Sequence, residues 1–109
     1  MKAQLLATLA ALAALALVPM GAMSAAPPAN HITIKNFMFA PVSLTIKAGT
    51  TVTWVNEDEE PHTVVSATGA FRSQAMDTRE SFAFTFDKPG EYHFICTIHP
   101  QMMGTVIVQ

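Results

Sequence analysis

An all-β fold, a two-sheet sandwich or barrel-like Greek key, is what this chain predicts, and three features predict it. Short stretches of apolar–polar alternation recur from His31 to the C-terminus. Clusters of Gly, Pro, Asn and Asp punctuate them. No segment after Asn30 keeps a helical apolar period over three turns. Alternation at period two buries one face of a strand. Roughly eight such strands hide those faces by packing as two sheets.

The first two dozen residues stand apart from this pattern. Lys2 gives a positive start, and Leu5 to Val18 is a run of Leu, Ala, Thr and Val. Pro19, Gly21 and small residues through Ala26 follow. That order of charge, apolar run and small residues is a secretory signal. The expected organisation is therefore a signal over residues 1–25 and one domain over residues 26–109, exported to the periplasm. Cleavage after Ser24, Ala25 or Ala26 fits the small residues there. The apolar run is short for a membrane span and breaks at Pro19, so no membrane attachment is expected after cleavage. No cysteine near the junction could carry a lipid.

The strands follow in order. His31-Ile32-Thr33-Ile34-Lys35 alternates, and Asn36 to Pro41 reads as a bend with aromatic packing. Leu44 to Lys47 alternates again and stops at Ala48-Gly49, a turn signal. Thr50 to Asn56 is rich in β-branched residues, with Val52 and Trp54 on one face and Thr51 and Thr53 on the other. Glu57-Asp58-Glu59-Glu60-Pro61 is a loop, and His62 to Ser66 resumes strand chemistry. Ala67 to Asp77 carries Gly69 and no period, so an irregular connection is expected. Ser81 to Phe86 sets three Phe on one face. Asp87-Lys88-Pro89-Gly90 is a turn. Glu91 to Cys96 puts Tyr92, Phe94 and Cys96 on a common face, and Gly104 to Gln109 closes the chain as a strand.

Charge and cysteine usage narrow the function classes. The formal net charge is −2, and losing Lys2 with the signal makes it −3. A nucleic-acid binder would need a basic face, so none is expected. A domain of about 85 residues outside the cell often needs a disulfide or a metal to hold it. The single cysteine, Cys96, cannot form an internal disulfide, and a lone thiol in an oxidising compartment is a liability unless buried or ligated.

Cys96 also opens the densest donor stretch in the chain, Cys96-Thr97-Ile98-His99-Pro100-Gln101-Met102-Met103. A thiolate, an imidazole and thioethers so close together form a soft, mixed set that favours copper. A loop between two strands brings such side chains to one point. The missing second imidazole falls to His62, which follows Pro61 in another loop. Met102 and Met103 both compete for the thioether position. His31 and His93 lie in strand segments, and His93 alternates away from Cys96.

Cys96-x-x-His99-x-x-Met102, with Pro61-His62 upstream and Val52-Thr53-Trp54-Val55-Asn56 before it, resembles the cupredoxins, the type 1 blue copper proteins. The spacing is most like that of the amicyanins within them. The likeness runs from about Ile32 to Val108. It implies a cupredoxin-like Greek-key sandwich and one copper ion bound by His62, Cys96, His99 and axial Met102. Asn56 matches the family asparagine that ties the two ligand loops together near the cysteine.

Two imidazoles and a thiolate in one plane, with a distant thioether, suit both copper oxidation states, so one-electron shuttling is expected rather than turnover of a substrate. The protein is expected to be a monomer and not an enzyme. His99 is the expected port for electrons, rimmed by Ile98, Pro100, Met102 and Met103. It would meet redox proteins of dehydrogenase or cytochrome c type in brief encounters, with Glu57 to Glu60 available to steer a basic partner. A copper chaperone or resistance protein would use the same soft ligands. A structural zinc domain built on His62, Cys96 and His99 is the third reading, disfavoured by the methionine.

Overall fold

Eight strands and no helix form among residues 30–109, the residues that the computed structural model describes. The signal expected over residues 1–25 lies outside the described residues. The strands are β1 (His31–Lys35), β2 (Met38–Ala40), β3 (Ser43–Ile46), β4 (Thr50–Asn56), β5 (Val65–Ser66), β6 (Ser81–Phe86), β7 (Gly90–Ile95) and β8 (Met103–Val108). They make two four-stranded sheets, ordered β2-β1-β4-β6 and β3-β8-β7-β5. β1 runs parallel to β4 and β3 parallel to β8, and the other pairs are antiparallel. The β1–β2 and β7–β8 links stay within a sheet, whereas every other link carries the chain to the opposite sheet.

The inward faces are those set by the alternation. Ile32 and Ile34 of β1 and Val52 and Trp54 of β4 are fully buried, as are Phe94 of β7 and Val106 of β8. Edge-on ring pairs join the two sheets: Trp54 with Phe94 at 5.5 Å and Phe39 with Phe94 at 4.8 Å between centroids. Such pairs each add about 0.5–1.5 kcal/mol beyond area burial. Phe94 lies directly over Gly104 on the neighbouring strand, where a Cβ would overlap its ring. The Gly49 turn has φ of 93°, and its N–H donates to the Phe86 carbonyl at 2.6 Å, pinning the entry of β4 to the end of β6.

Two segments differ from expectation. The bend at Asn36 to Pro41 is a hairpin, with β2 pairing back on β1 through Lys35 and Met38. Its turn residues Asn36 and Phe37 are left-handed, with φ of 55° and 57°. The strand expected from His62 shrinks to Val65–Ser66, while His62 itself makes an isolated bridge to Met76. The reason lies in where the backbone donors go. The Thr63 N–H donates to Cys96 Sγ at 3.4 Å and the Val64 N–H to Ser73 Oγ at 2.8 Å, so neither enters a ladder.

Candidate metal centre

Two inter-strand connections converge. The β7–β8 link is a loop closed on itself: the Met102 N–H donates to the His99 carbonyl at 2.9 Å, and the Cys96 N–H donates to the Met102 carbonyl at 3.1 Å. This fold-back delivers Cys96, His99 and Met102 within one short turn. The β4–β5 link delivers His62. Thr63 joins the two connections, because its hydroxyl accepts the Thr97 N–H at 2.7 Å and pairs with the Thr97 hydroxyl at 2.8 Å.

His62, Cys96 and His99 form one cluster, their ligating atoms all within 4.8 Å of one another. Cys96 Sγ lies 3.8 Å from His62 Nδ1 and 3.8 Å from His99 Nδ1. Bonds of about 2.0 Å to imidazole nitrogen and about 2.3 Å to thiolate sulfur, roughly 120° apart, span about 3.7 Å. Both sulfur-to-nitrogen separations therefore fit a single ion shared by the Cys96 sulfur and the two imidazole nitrogens. Cys96 and His62 are fully buried, and His99 is half-buried. Met102 is 3% exposed and packs in the core cluster that contains Cys96, whereas Met103 is 62% exposed. His31 and His93 lie outside the cluster, His93 bonding to Thr105 at 3.0 Å on the β7–β8 surface.

Asp58 holds the buried histidine from behind. Its Oδ2 lies 2.9 Å from His62 Nε2, and it also accepts the N–H groups of Asn36 at 2.7 Å and Phe37 at 2.9 Å. Burial pushes the Asp58 carboxyl up, but the Phe37 and Asn36 donors and the His62 ring outweigh it and hold it below the usual carboxylate range. A carboxylate on Nε2 keeps the proton there and leaves Nδ1 free to face an ion. The same Asp58 bonds fix the left-handed turn, and they set the Phe37 ring edge-on to both imidazoles, at 5.3 Å from His62 and 5.0 Å from His99.

Three sequence expectations need correction. Asp58 is not available with its acidic neighbours to steer a partner, being only 8% exposed, whereas Glu57, Glu59 and Glu60 are exposed. Asn56 does not reach the cysteine loop. Its side chain donates to the Glu60 and Met76 carbonyls and accepts the Asp58 N–H, so it ties the His62 loop to the β5–β6 link instead. Thr63 provides the tie between loops that was assigned to Asn56. Finally, Met102 is not part of the exposed rim around His99, which instead gains Phe37. Asp58 carried one legible signal, its place four residues before His62, but three flanking acids masked it. Phe37 and Thr63 had none, because both act through tertiary contact.

The comparisons with known proteins agree with this geometry. A family model for the cupredoxin-like domain matches residues 6–108. Amicyanin of Paracoccus versutus is 38% identical over 96 residues, covering 84% of this chain and 73% of that protein. Amicyanin-alpha of Methylorubrum extorquens is 34% identical over 112 residues, covering 94% of each. A solved variant of amicyanin in its Cu(I) form superposes with a TM-score of 0.71 at 31% identity, covering 78% of this chain and 86% of that one.

Proposed function

This chain belongs to the cupredoxin-like family, and on that premise we propose that it is an exported type 1 copper protein that shuttles single electrons between redox proteins in the periplasm. The observation that carries this reading is the buried Cys96 sulfur set 3.8 Å from two imidazole nitrogens. Copper supplies the one-electron Cu(I)/Cu(II) couple. His62, Cys96 and His99 would hold it, and the buried Met102 from the same loop would supply a thioether. The Thr63 N–H at the sulfur is a means of tuning potential, since hydrogen bonds to the cysteine sulfur shift it. Asp58 and Phe37 keep both imidazoles in place, so little has to move when the charge changes.

His99 is the proposed port. It is the one imidazole of the cluster with solvent exposure, and Phe37, Ile98 and Met103 beside it are 40%, 45% and 62% exposed. Such an apolar rim suits brief docking of a dehydrogenase or cytochrome c type partner through a small interface. Electron transfer, rather than turnover of a substrate, is the activity proposed. The test is spectroscopic. Protein purified with copper shows a strong visible thiolate-to-Cu(II) band and a reversible one-electron wave. A colourless site that holds only Cu(I) would transfer the assignment to a chaperone. Zinc in protein purified without added metal would transfer it to a structural domain.

A further inference from the structure

Of the four methionines among the described residues, three line a single surface cavity of about 150 Å3. They are Met38, Met102 and Met103. Met38 opens β2 and is 60% exposed; Met103 opens β8 and is 62% exposed. The Thr105 N–H donates to the Val42 carbonyl at 2.9 Å, holding the β2–β3 link against β8 and setting the two side chains on the same cavity. Met102 belongs to two places, since it lines the cavity and packs in the core cluster with Cys96.

The chemistry of this wall is selective. No carboxylate, imidazole or amine lines it, and Gln101 is its one polar side chain. Hard cations require oxygen ligands and gain nothing there. A purely apolar docking patch could be built from leucine and valine, and water solvates a thioether poorly as an acceptor. Three thioethers on one neutral cavity instead match copper(I), a soft ion that accepts two or three sulfur donors.

We propose that Met38, Met102 and Met103 form an entry site for copper(I), distinct from the His62–Cys96–His99 cluster and leading into it through Met102. The inference rests on the copper reading above. The ion arrives as Cu(I) and leaves as Cu(I), so no electron moves. Thioether bonds exchange for the Cys96 sulfur and the two imidazoles, and the Cys96 thiol proton goes to solvent. The site is uncharged, so capture does not depend on the protonation of any lining group.

The experiment uses the copper-filled, reduced protein under anaerobic conditions, titrated with Cu(I) from a chromogenic chelator. With Met102 engaged by the inner ion, the wild type takes up a second equivalent on the two thioethers left free, Met38 and Met103. The M38L/M103L variant, which conserves volume, stops at one, and its apoprotein loads the inner site at least about tenfold more slowly, in the range expected when two soft ligands are removed. After oxidation its visible band matches the wild type. Silver(I) added to the copper-filled wild type shifts the Met38 and Met103 methyl resonances. A wild type that stops at one equivalent, or a variant that binds and loads as the wild type does, overturns the entry site. The visible band reports on the inner cluster alone, so its absence counts against the copper carrier and not against this inference.

Discussion

At Asp58 one carboxylate accepts from three donors, two backbone N–H groups and the His62 ring, and so sets a turn and a ligand together. Asp58→Asn keeps the volume but removes the charge that orients the imidazole. Copper affinity should fall about 10–100-fold, as it does when an outer partner of a ligand is lost, measured by competition with a chelator. The same residue sets a pH dependence in the apoprotein. Its carboxyl is lower in the folded state than its ordinary value of 3.8, so it stabilises the fold above that pH. This stability is lost as pH falls through the lowered folded value. Denaturation midpoints of apoprotein between mild and strong acid should therefore drop in the wild type and drop less in Asp58→Asn. Methionine identity also separates at this scale. Met102→Ala should change colour and potential and cost about 2–5 kcal/mol as a buried truncation. Met103→Ala, at an exposed position, should leave colour, potential and melting nearly unchanged. The opposite pattern would reassign the axial thioether. The Cys-x-x-His-x-x-Met spacing was legible in the sequence, but the choice between adjacent methionines rests on the alternation that β8 imposes from Met103 onward, outward first.

Among the elements, the β7–β8 hairpin carries the most consequence. Its connection provides Cys96, His99 and Met102, and its strands must lie close for the loop to close on itself. Gly104 allows this, because the Phe94 ring occupies the space a side chain would need. Gly104→Ala should cost about 1–3 kcal/mol by overpacking. A denaturant melt of the apoprotein measures that cost, and a neutral result would show that Phe94 can rotate away. The strands of this hairpin were legible from alternation. The β5 region was not, because Thr63 and Val64 spend their donors on Cys96 and Ser73. A propensity reading sees β-branched residues there and cannot see side-chain acceptors brought from distant positions. The Asn36–Phe37 turn failed for a related reason. Two non-glycine residues hold left-handed backbone only because Asp58, more than twenty positions away, accepts both N–H groups.

For the whole molecule, two sheets share one aromatic core, and the ligand cluster sits where the β4–β5 and β7–β8 links meet across them. An ion bound there ties two loops whose hydrogen bonds to each other, among the described residues, run through Thr63, Thr97 and the cysteine sulfur. Removing copper should therefore lower the melting temperature, by an amount that grows with copper affinity, and restoring it should reverse the loss. Calorimetry of apo and copper-filled protein checks this; equal melting temperatures would mean that the loops are held without the ion. The amino-acid sequence by itself determined the fold class, the strand faces and the donor set, because period-two alternation, turn residues and ligand spacing are all local patterns. Only the tertiary structure decided how those donors are held. Asp58 behind His62, Phe37 against both rings, Thr63 between the loops and Met102 turned inward each depend on contacts between residues far apart in the chain. The Cys96 to Met103 stretch is legible as a string of soft ligands, but the positions of its atoms are set by neighbours contributed from the rest of the sandwich.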